Sequence, residues 1–249
     1  MAKVLEICAD SLTSVRAAIA GGADRIELCS ALTMGGLTPY EMLLRQIREE
    51  SGIPVRCLMR PRAGDFLYTR EEIILMGRQM EQLGAAGAHG FVIGCLTAEG
   101  DLDRKAMKYL AECAGGKGLT LHRCIDVSRD PEKTYLDAQE LGIDTVLTSG
   151  CASSCLGGLD VIGRLLTLRD FHQGPEVLIG AGVKAAVIRQ IRKNLPQARA
   201  FHMSGKTEIP SGMIFRREGV PMGAPGLDEW HIQVTGLDAV RQAREAMDE

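Results

Sequence analysis

The sequence predicts a (β/α)8 barrel occupying residues 1–249 as one domain. Three observations predict it. Eight short runs of strand-forming residues alternate with segments long enough for one helix each. Three helix-to-strand passages repeat a glycine exit, at Gly22-Ala23-Asp24, Gly87-Ala88-His89 and Gly142-Ile143-Asp144. No composition break marks a linker, and about 250 residues is a usual length for such a barrel. The rival, an open doubly wound sheet, more often carries G-x-G-x-x-G after its first strand. This chain has CADSLTS there.

The strands are expected at 4–8 (VLEIC), 25–29 (RIELC), 54–60 (PVRCLMR), 90–95 (GFVIGC), 118–125 (GLTLHRCI), 145–149 (TVLTS), 176–181 (EVLIGA) and 199–204 (RAFHMS). After the second, Thr38-Pro39-Tyr40-Glu41 reads as a capping box with proline at the first helical position. Leu43, Leu44 and Ile47 then give that helix one apolar face. Thr69-Arg70-Glu71-Glu72 is a second capping box, and Asp130-Pro131 supplies a cap and an N1 proline. Glycine at the three exits can take the left-handed conformation that ends a helix. Beyond the eighth strand, residues 207–235 are expected to be a long irregular segment.

Composition excludes several classes. The 29 basic and 32 acidic residues leave a net charge of −3, and aromatic residues are only 4%. Neither a basic surface nor a base-stacking platform is expected, so neither is nucleic-acid binding. MAKVLEICADS lacks the apolar core of a signal peptide, and no apolar run approaches the roughly 20 residues of a membrane helix. A cytoplasmic protein without membrane contact is expected. Its eight cysteines should then be mostly thiols. No C-x-x-C pair occurs, which argues against structural zinc of the usual spacing.

Barrel active sites lie at the C-terminal strand ends, and the polar residues gather there. Glu6 and Cys8 end the first strand, and the same E-x-C arrangement, Glu27 and Cys29, ends the second. The third leads into Arg60, Arg62 and Asp65, and the fifth carries His122, Arg123 and then Asp126. Thr148, Ser149 and Gly150 end the sixth, Gly180 and Gly182 follow the seventh, and His202, Ser204 and Lys206 belong to the eighth. Side chains two apart share a strand face, so each Glu–Cys pair shares one. Adjacent strands are roughly 4.8 Å apart. Two thiolates at about 2.3 Å from one metal need sulfurs within roughly 4.6 Å. A Cys8–Cys29 site is therefore feasible, and soft thiolates select Cu(I). Packing explains cysteines equally simply, and it is the expectation for Cys57, Cys95 and Cys113. An ionised carboxylate inside a barrel must be paired, neutralised or metal-bound, and Arg60, Arg62 and His122 are the obvious partners of Glu6 and Glu27. The glycines after strand seven and Ser204-Gly205-Lys206 resemble the phosphate site that loops seven and eight form in many barrels. Cys151 and Cys155 fall in the loop after strand six, His89 and His172 look like surface histidines, and His231 beside Trp230 has no assigned role.

LEICADS, GADRIELCS, GGLTP, MRPRAGDFLY, LHRCIDV, VLTSG and FHMSG, in that order from residue 5 to about 205, resemble the signature segments of the CutC family of copper homeostasis proteins. The resemblance implies a (β/α)8 barrel, a cytoplasmic location, a Cu(I) site at Cys8 and Cys29, and homodimers or higher homo-oligomers. The chain departs from the family pattern at Ala63, at Cys124-Ile125, at Cys155 and through 207–235.

Two functions fit these residues. One is a copper protein binding Cu(I) through Cys8 and Cys29. The other is an enzyme acting on a small polyol, sugar or sugar phosphate. In it Glu6 or Glu27 is the general base, and His122 or His202 the acid or a metal ligand. Asp65 completes the catalytic candidates. Arg60 and Arg62 would hold an anionic group, and Gly180, Gly182, Ser204 and Lys206 would line the binding site. The partner is accordingly a copper ion or a small anionic metabolite.

Overall fold

Eight short parallel strands close on themselves. They are β1 (Val4–Ala9), β2 (Arg25–Leu28), β3 (Val55–Leu58), β4 (Gly90–Ile93), β5 (Gly118–Leu121), β6 (Thr145–Thr148), β7 (Glu176–Ile179) and β8 (Ala200–Met203). β1 closes the barrel by pairing with both β2 and β8, which sets Glu6 beside Arg25 on one side and His202 on the other. Helices α1 (Leu12–Ala20), α2 (Glu41–Glu50), α3 (Arg70–Ala85), α4 (Arg104–Cys113), α5 (Pro131–Glu140), α6 (Leu159–His172), α7 (Ala185–Asn194) and α8 (Leu237–Asp248) follow the strands. The structure is a computed structural model and describes residues 3–217, 219, 220, 222 and 228–249. Alternation along each strand divides the chemistry. Leu5, Ile7, Ile26 and Leu28 join the main core with the helices. The intervening positions face the barrel interior and carry Glu6, Cys8, Arg25 and Glu27.

The local signals hold where the backbone has no competing partner. Thr69 closes its capping box with Glu72, and Asp130 caps α5 ahead of Pro131. Gly22, Gly87 and Gly142 have φ of +92°, +102° and +76°, so each exit takes the left-handed turn. Thr38 does not cap α2, whose N-cap is Tyr40. Its hydroxyl accepts from Arg60 N at 3.0 Å and donates to Arg60 O at 3.2 Å, tying the β2–α2 loop to the end of β3. The fifth strand stops at Leu121 rather than 125. There the chain winds into a 3-10 turn, Arg123–Val127, because His122 Nδ1 accepts from Cys124 N at 3.1 Å.

The segment after the barrel is more ordered than expected. β9 (Lys206–Pro210) and β10 (His231–Thr235) form an antiparallel hairpin. Thr235 fixes its base, donating from N to Ser14 Oγ at 3.1 Å and from Oγ1 to Ser204 O at 2.9 Å. Positions 218, 221 and 223–227 of that segment lie outside the described residues. Among the described residues no helix is long and apolar enough to cross a membrane.

Candidate functional site

The site begins beneath the barrel mouth with a buried charge. Glu6 has no solvent exposure. One carboxylate oxygen accepts from Arg25 Nε at 2.5 Å and the other meets His202 Nδ1 at 2.8 Å. Burial alone would raise the Glu6 pKa. The Arg25 charge and the His202 hydrogen bond outweigh it and hold the group at about 2. Ionised Glu6 therefore fixes the proton on Nδ1 of His202, and Nε2 faces Glu27 Oε2 at 3.8 Å. Glu27 goes the other way. Burial pushes its pKa up against the charge of His202, and the charge of Glu6 adds to the rise. Desolvation works to lower the His202 pKa, but Glu27 and Glu6 raise it overall. Gly180 makes room here, since a Cβ on it would stand 2.8 Å from Leu147 Cδ1 and 3.6 Å from His202 Cδ2.

Beside this pair stand the thiols. Cys8 Sγ is 3.6 Å from Cys29 Sγ, and both cysteines are buried with Leu58 and Val92. The hydrogen bond with Cys29, burial and the charge of Glu27 all push the Cys8 thiol well above its ordinary range. Cys8, Glu27 and His202 each offer a donor atom within 4.8 Å of the others, the one such metal-capable group among the described residues. Cys8 of the Cys8–Cys29 pairing expected from the sequence therefore also meets a Glu and a His, in a group that leaves Cys29 out.

Above the floor opens a cavity of about 750 Å³, lined by Cys8, Glu27 and His202 below and by His122, Arg60 and Phe66 on one wall. His122 Nδ1 is an acceptor, so the neutral ring carries its proton on Nε2, and that buried atom has no protein partner among the described residues. Desolvation, then the nearby Arg60 charge, take the His122 pKa down to about 3, so the ring stays neutral at physiological pH. Its ring centroid lies 4.6 Å from that of Phe66. Arg60 sits over the same Phe66 at 5.5 Å. Its guanidinium donates to the carbonyls of Met34, Gly36 and Gly64 at 3.0–3.1 Å.

Arg123, Lys184, Ser204 and Lys206 complete the lining. Arg123 is held by the Asp126 carboxylate at 2.7 Å and by Ser149 Oγ at 2.7 Å. Asp126 is itself fixed by Thr148 Oγ1 at 2.5 Å and by the backbone N–H of Ser149.

Of the residues expected from the sequence, the structure brings Cys8, Glu27, Arg60, His122, His202, Gly182, Ser204 and Lys206 to one cavity. Glu6, Cys29 and Gly180 stand behind that wall. Arg62 and Asp65 do not reach it. They pair with each other at 3.0 Å, Arg62 also binds Glu72 at 2.7 Å, and the group closes the β3–α3 loop on itself. Sequence reasoning gave no site role to Arg25, Phe66, Arg123 or Lys184. For Arg25 a signal existed, because it occupies the same strand face as Glu27 and Cys29.

A model of the CutC family matches residues 3–207. The chain belongs to the CutC family. A CutC family protein of Vibrio campbellii is 43% identical over 239 residues, 95% of each chain. One from Chromobacterium violaceum is 40% identical over 249 residues, covering 100% of this chain and 99% of the relative. Among solved structures, a CutC from Streptococcus agalactiae superposes with a TM-score of 0.76 at 25% identity, over 81% of this chain and 98% of that one. N-(5'-phosphoribosyl)anthranilate isomerase from Pyrococcus furiosus shares the fold alone, with a TM-score of 0.56 at 15% identity over 99% of this chain and 98% of its own.

Proposed function

We propose that this CutC family member is a copper homeostasis protein whose Cys8 and Cys29 bind Cu(I) at the cavity floor. The observation that carries the reading is the thiol pair 3.6 Å apart, with Cys8 in the cavity wall. The likeness to the Streptococcus agalactiae CutC, whose description assigns it to copper homeostasis, supports it. Thiolates are soft ligands that suit Cu(I). Sulfurs at this separation, each about 2.3 Å from one ion, make a bent unit with room for a third donor. His202 offers a ring nitrogen within 4.8 Å of the Cys8 sulfur, while Cys29 stands outside that group, so the ring becomes the third donor only when Cys29 shifts toward it. Its Nδ1 proton is held by Glu6, the usual outer-shell arrangement of a metal-binding histidine. The carboxylate of Glu27 is too hard to be the preferred fourth ligand.

Anaerobic Cu(I) titration against a competing chelator tests this. Wild type should bind one ion tightly, and the Cys8→Ser/Cys29→Ser double variant should lose it with its thermal melt unchanged. Equal copper stoichiometry in the two proteins overturns the reading. Because the Cys8 thiol is pushed up, the metal must displace a proton, and affinity should rise with pH.

Eight free thiols suit a reducing cytoplasm, where we place the protein. Association into homodimers or higher homo-oligomers is part of the same proposal. It is supported by exposed apolar side chains beyond β9, with Ile214 at 99% and Phe215 at 67% exposure. A monomeric mass by light scattering overturns it.

A second reading is an enzyme acting on a small polyol, sugar or sugar phosphate, with Glu27 as base and His122 or His202 as acid. The specific observation in its favour is the unpartnered Nε2 of His122 in a cavity whose rim is cationic.

A further inference from the structure

The cavity rim carries more positive charge than the fold uses. Lys184 and Lys206 line it and have no carboxylate partner among the described residues, and Arg123, paired with Asp126, stands with them. The rim is also rich in free backbone donors. Gly180 N is satisfied by Thr148 O, but the N–H groups of Ala181, Gly182, Val183 and Lys184 find no protein partner among the described residues. Ala181 stands at φ +72° and Gly182 at φ +78°. A non-glycine residue held there carries strain, which tends to mark functional backbone. α7 starts at once afterwards with no side chain capping it, and the start of a helix favours an anion.

An independent observation lies across the cavity. His122 is 5% exposed, lines the same space, and has a buried Nε2–H with no partner among the described residues. Buried polar groups of this kind are rare unless something binds them. The floor between the two walls offers Glu27 and His202, a hydrogen-bond acceptor and donor for hydroxyl groups.

We propose that the cavity binds a small phosphorylated polyol or sugar, its phosphate lodged between the Ala181–Lys184 loop and the Ser204–Lys206 turn, and its hydroxyl end reaching His122 and Glu27. Two lysines without carboxylate partners and a run of backbone N–H groups match a dianionic phosphate better than a singly charged carboxylate. The volume of about 750 Å³ falls in the range of metabolite sites. The inference deepens the enzyme reading, and its use of the site rests on that reading. It can be tested apart from copper, because the proposed ligand contacts use neither sulfur: Cys29 lies behind the cavity wall and Cys8 packs with Leu58 and Val92.

The test uses purified full-length protein, with inorganic phosphate, ribose 5-phosphate and unphosphorylated ribose as probes. Binding is read by 31P line broadening and by calorimetry. Ribose 5-phosphate should bind saturably, and at least tenfold more tightly than ribose. Lys184→Met/Lys206→Met should weaken it at least tenfold. Lys108→Met on the outer helix α4, a control for lost charge, should leave it within twofold. His122→Phe keeps the packing on Phe66 but removes the donor. It should weaken ribose 5-phosphate severalfold and leave inorganic phosphate unchanged. Circular dichroism melts establish that each variant is folded. A different small phosphomonoester that binds in place of ribose 5-phosphate, with the same variant pattern, supports the site equally. No saturable binding of any phosphomonoester, or equal losses in the rim variant and the Lys108 control, overturns the proposal. A His122→Phe effect equal on both probes overturns the orientation. Cys8→Ser/Cys29→Ser should retain phosphomonoester binding, so failure of the copper reading leaves this site standing. Conversion of a bound ester is measured separately, and binding without turnover removes only the enzyme reading.

Discussion

Two groups of side chains in this molecule use nearly the same residue types to opposite ends. Glu6, Arg25 and His202 sit inside the barrel, with Glu6 wholly buried and Arg25 and His202 each 14% exposed. Arg62, Asp65 and Glu72 sit on the β3–α3 loop, with Asp65 70% exposed. The inner group leaves Nε2 of His202 facing a second carboxylate across 3.8 Å. The outer group is complete, with Arg62 also donating to the carbonyls of Asp65 and Leu67. Residue type at a strand end therefore does not make a site. Burial together with unfilled bonding capacity does, because there a ligand or proton changes the balance most.

The comparison breaks most visibly at Glu6. Glu6→Gln should destabilise the protein by about 3–5 kcal/mol, since removing one partner leaves the Arg25 charge buried alone. Urea unfolding measures it, and a loss below about 1 kcal/mol would show that the floor is wetter than its geometry implies. The same residue predicts an acid limb. Its folded pKa of about 2 lies below the ordinary 4.5, so its stabilisation is present above pH 4.5 and is lost as pH falls from there toward 2. Glu6→Gln should flatten that limb of the stability profile.

Next in size is Gly94. A Cβ there would stand 2.5 Å from both Cys124 Sγ and the His122 ring. Gly94→Ala should cost about 1–3 kcal/mol by overpacking and should perturb the His122 resonances.

The two buried histidines sharpen the comparison without mutation. His202 is raised above 6.5 and His122 lowered to about 3. An NMR titration should show His202 still gaining its proton above pH 6.5, while His122 stays neutral throughout the range in which the protein is folded. For His202 the linked stabilisation is complete below pH 6.5 and is lost as pH rises through the folded value. Coincident titration of the two would remove the electrostatic distinction between wall and floor. The smallest effect belongs to the outer group. Asp65→Asn should change stability by no more than about 1 kcal/mol, and a larger loss would mean that the loop supports the Arg60 wall.

Much of the fold was legible because its signals are local. The alternation of strand and helix, the Thr69 and Asp130 caps and the three glycine exits each depend on a few adjacent residues, and all agree with the barrel. Thr38 misled because a backbone partner distant in sequence, Arg60, competes for its hydroxyl. The E-x-C pairs were legible as inward positions by their period of two. That Cys8 joins Glu27 and His202 as well as Cys29 was not, because β8 closes on β1 only through the barrel. Lys184 and Phe66 lie on loops, where no periodicity tells which way a side chain points.

The sequence by itself determined the kind of fold, the family and the residue types at the barrel mouth, since periodicity, caps and motifs are properties of neighbouring positions. Tertiary structure alone decided which of those residues meet. It buried Glu6 beside Arg25, freed Nε2 of His122, and turned Arg62 away from the cavity. Those outcomes rest on strand register, closure and loop paths, which bring together side chains as distant in sequence as Glu6 and His202, 196 positions apart.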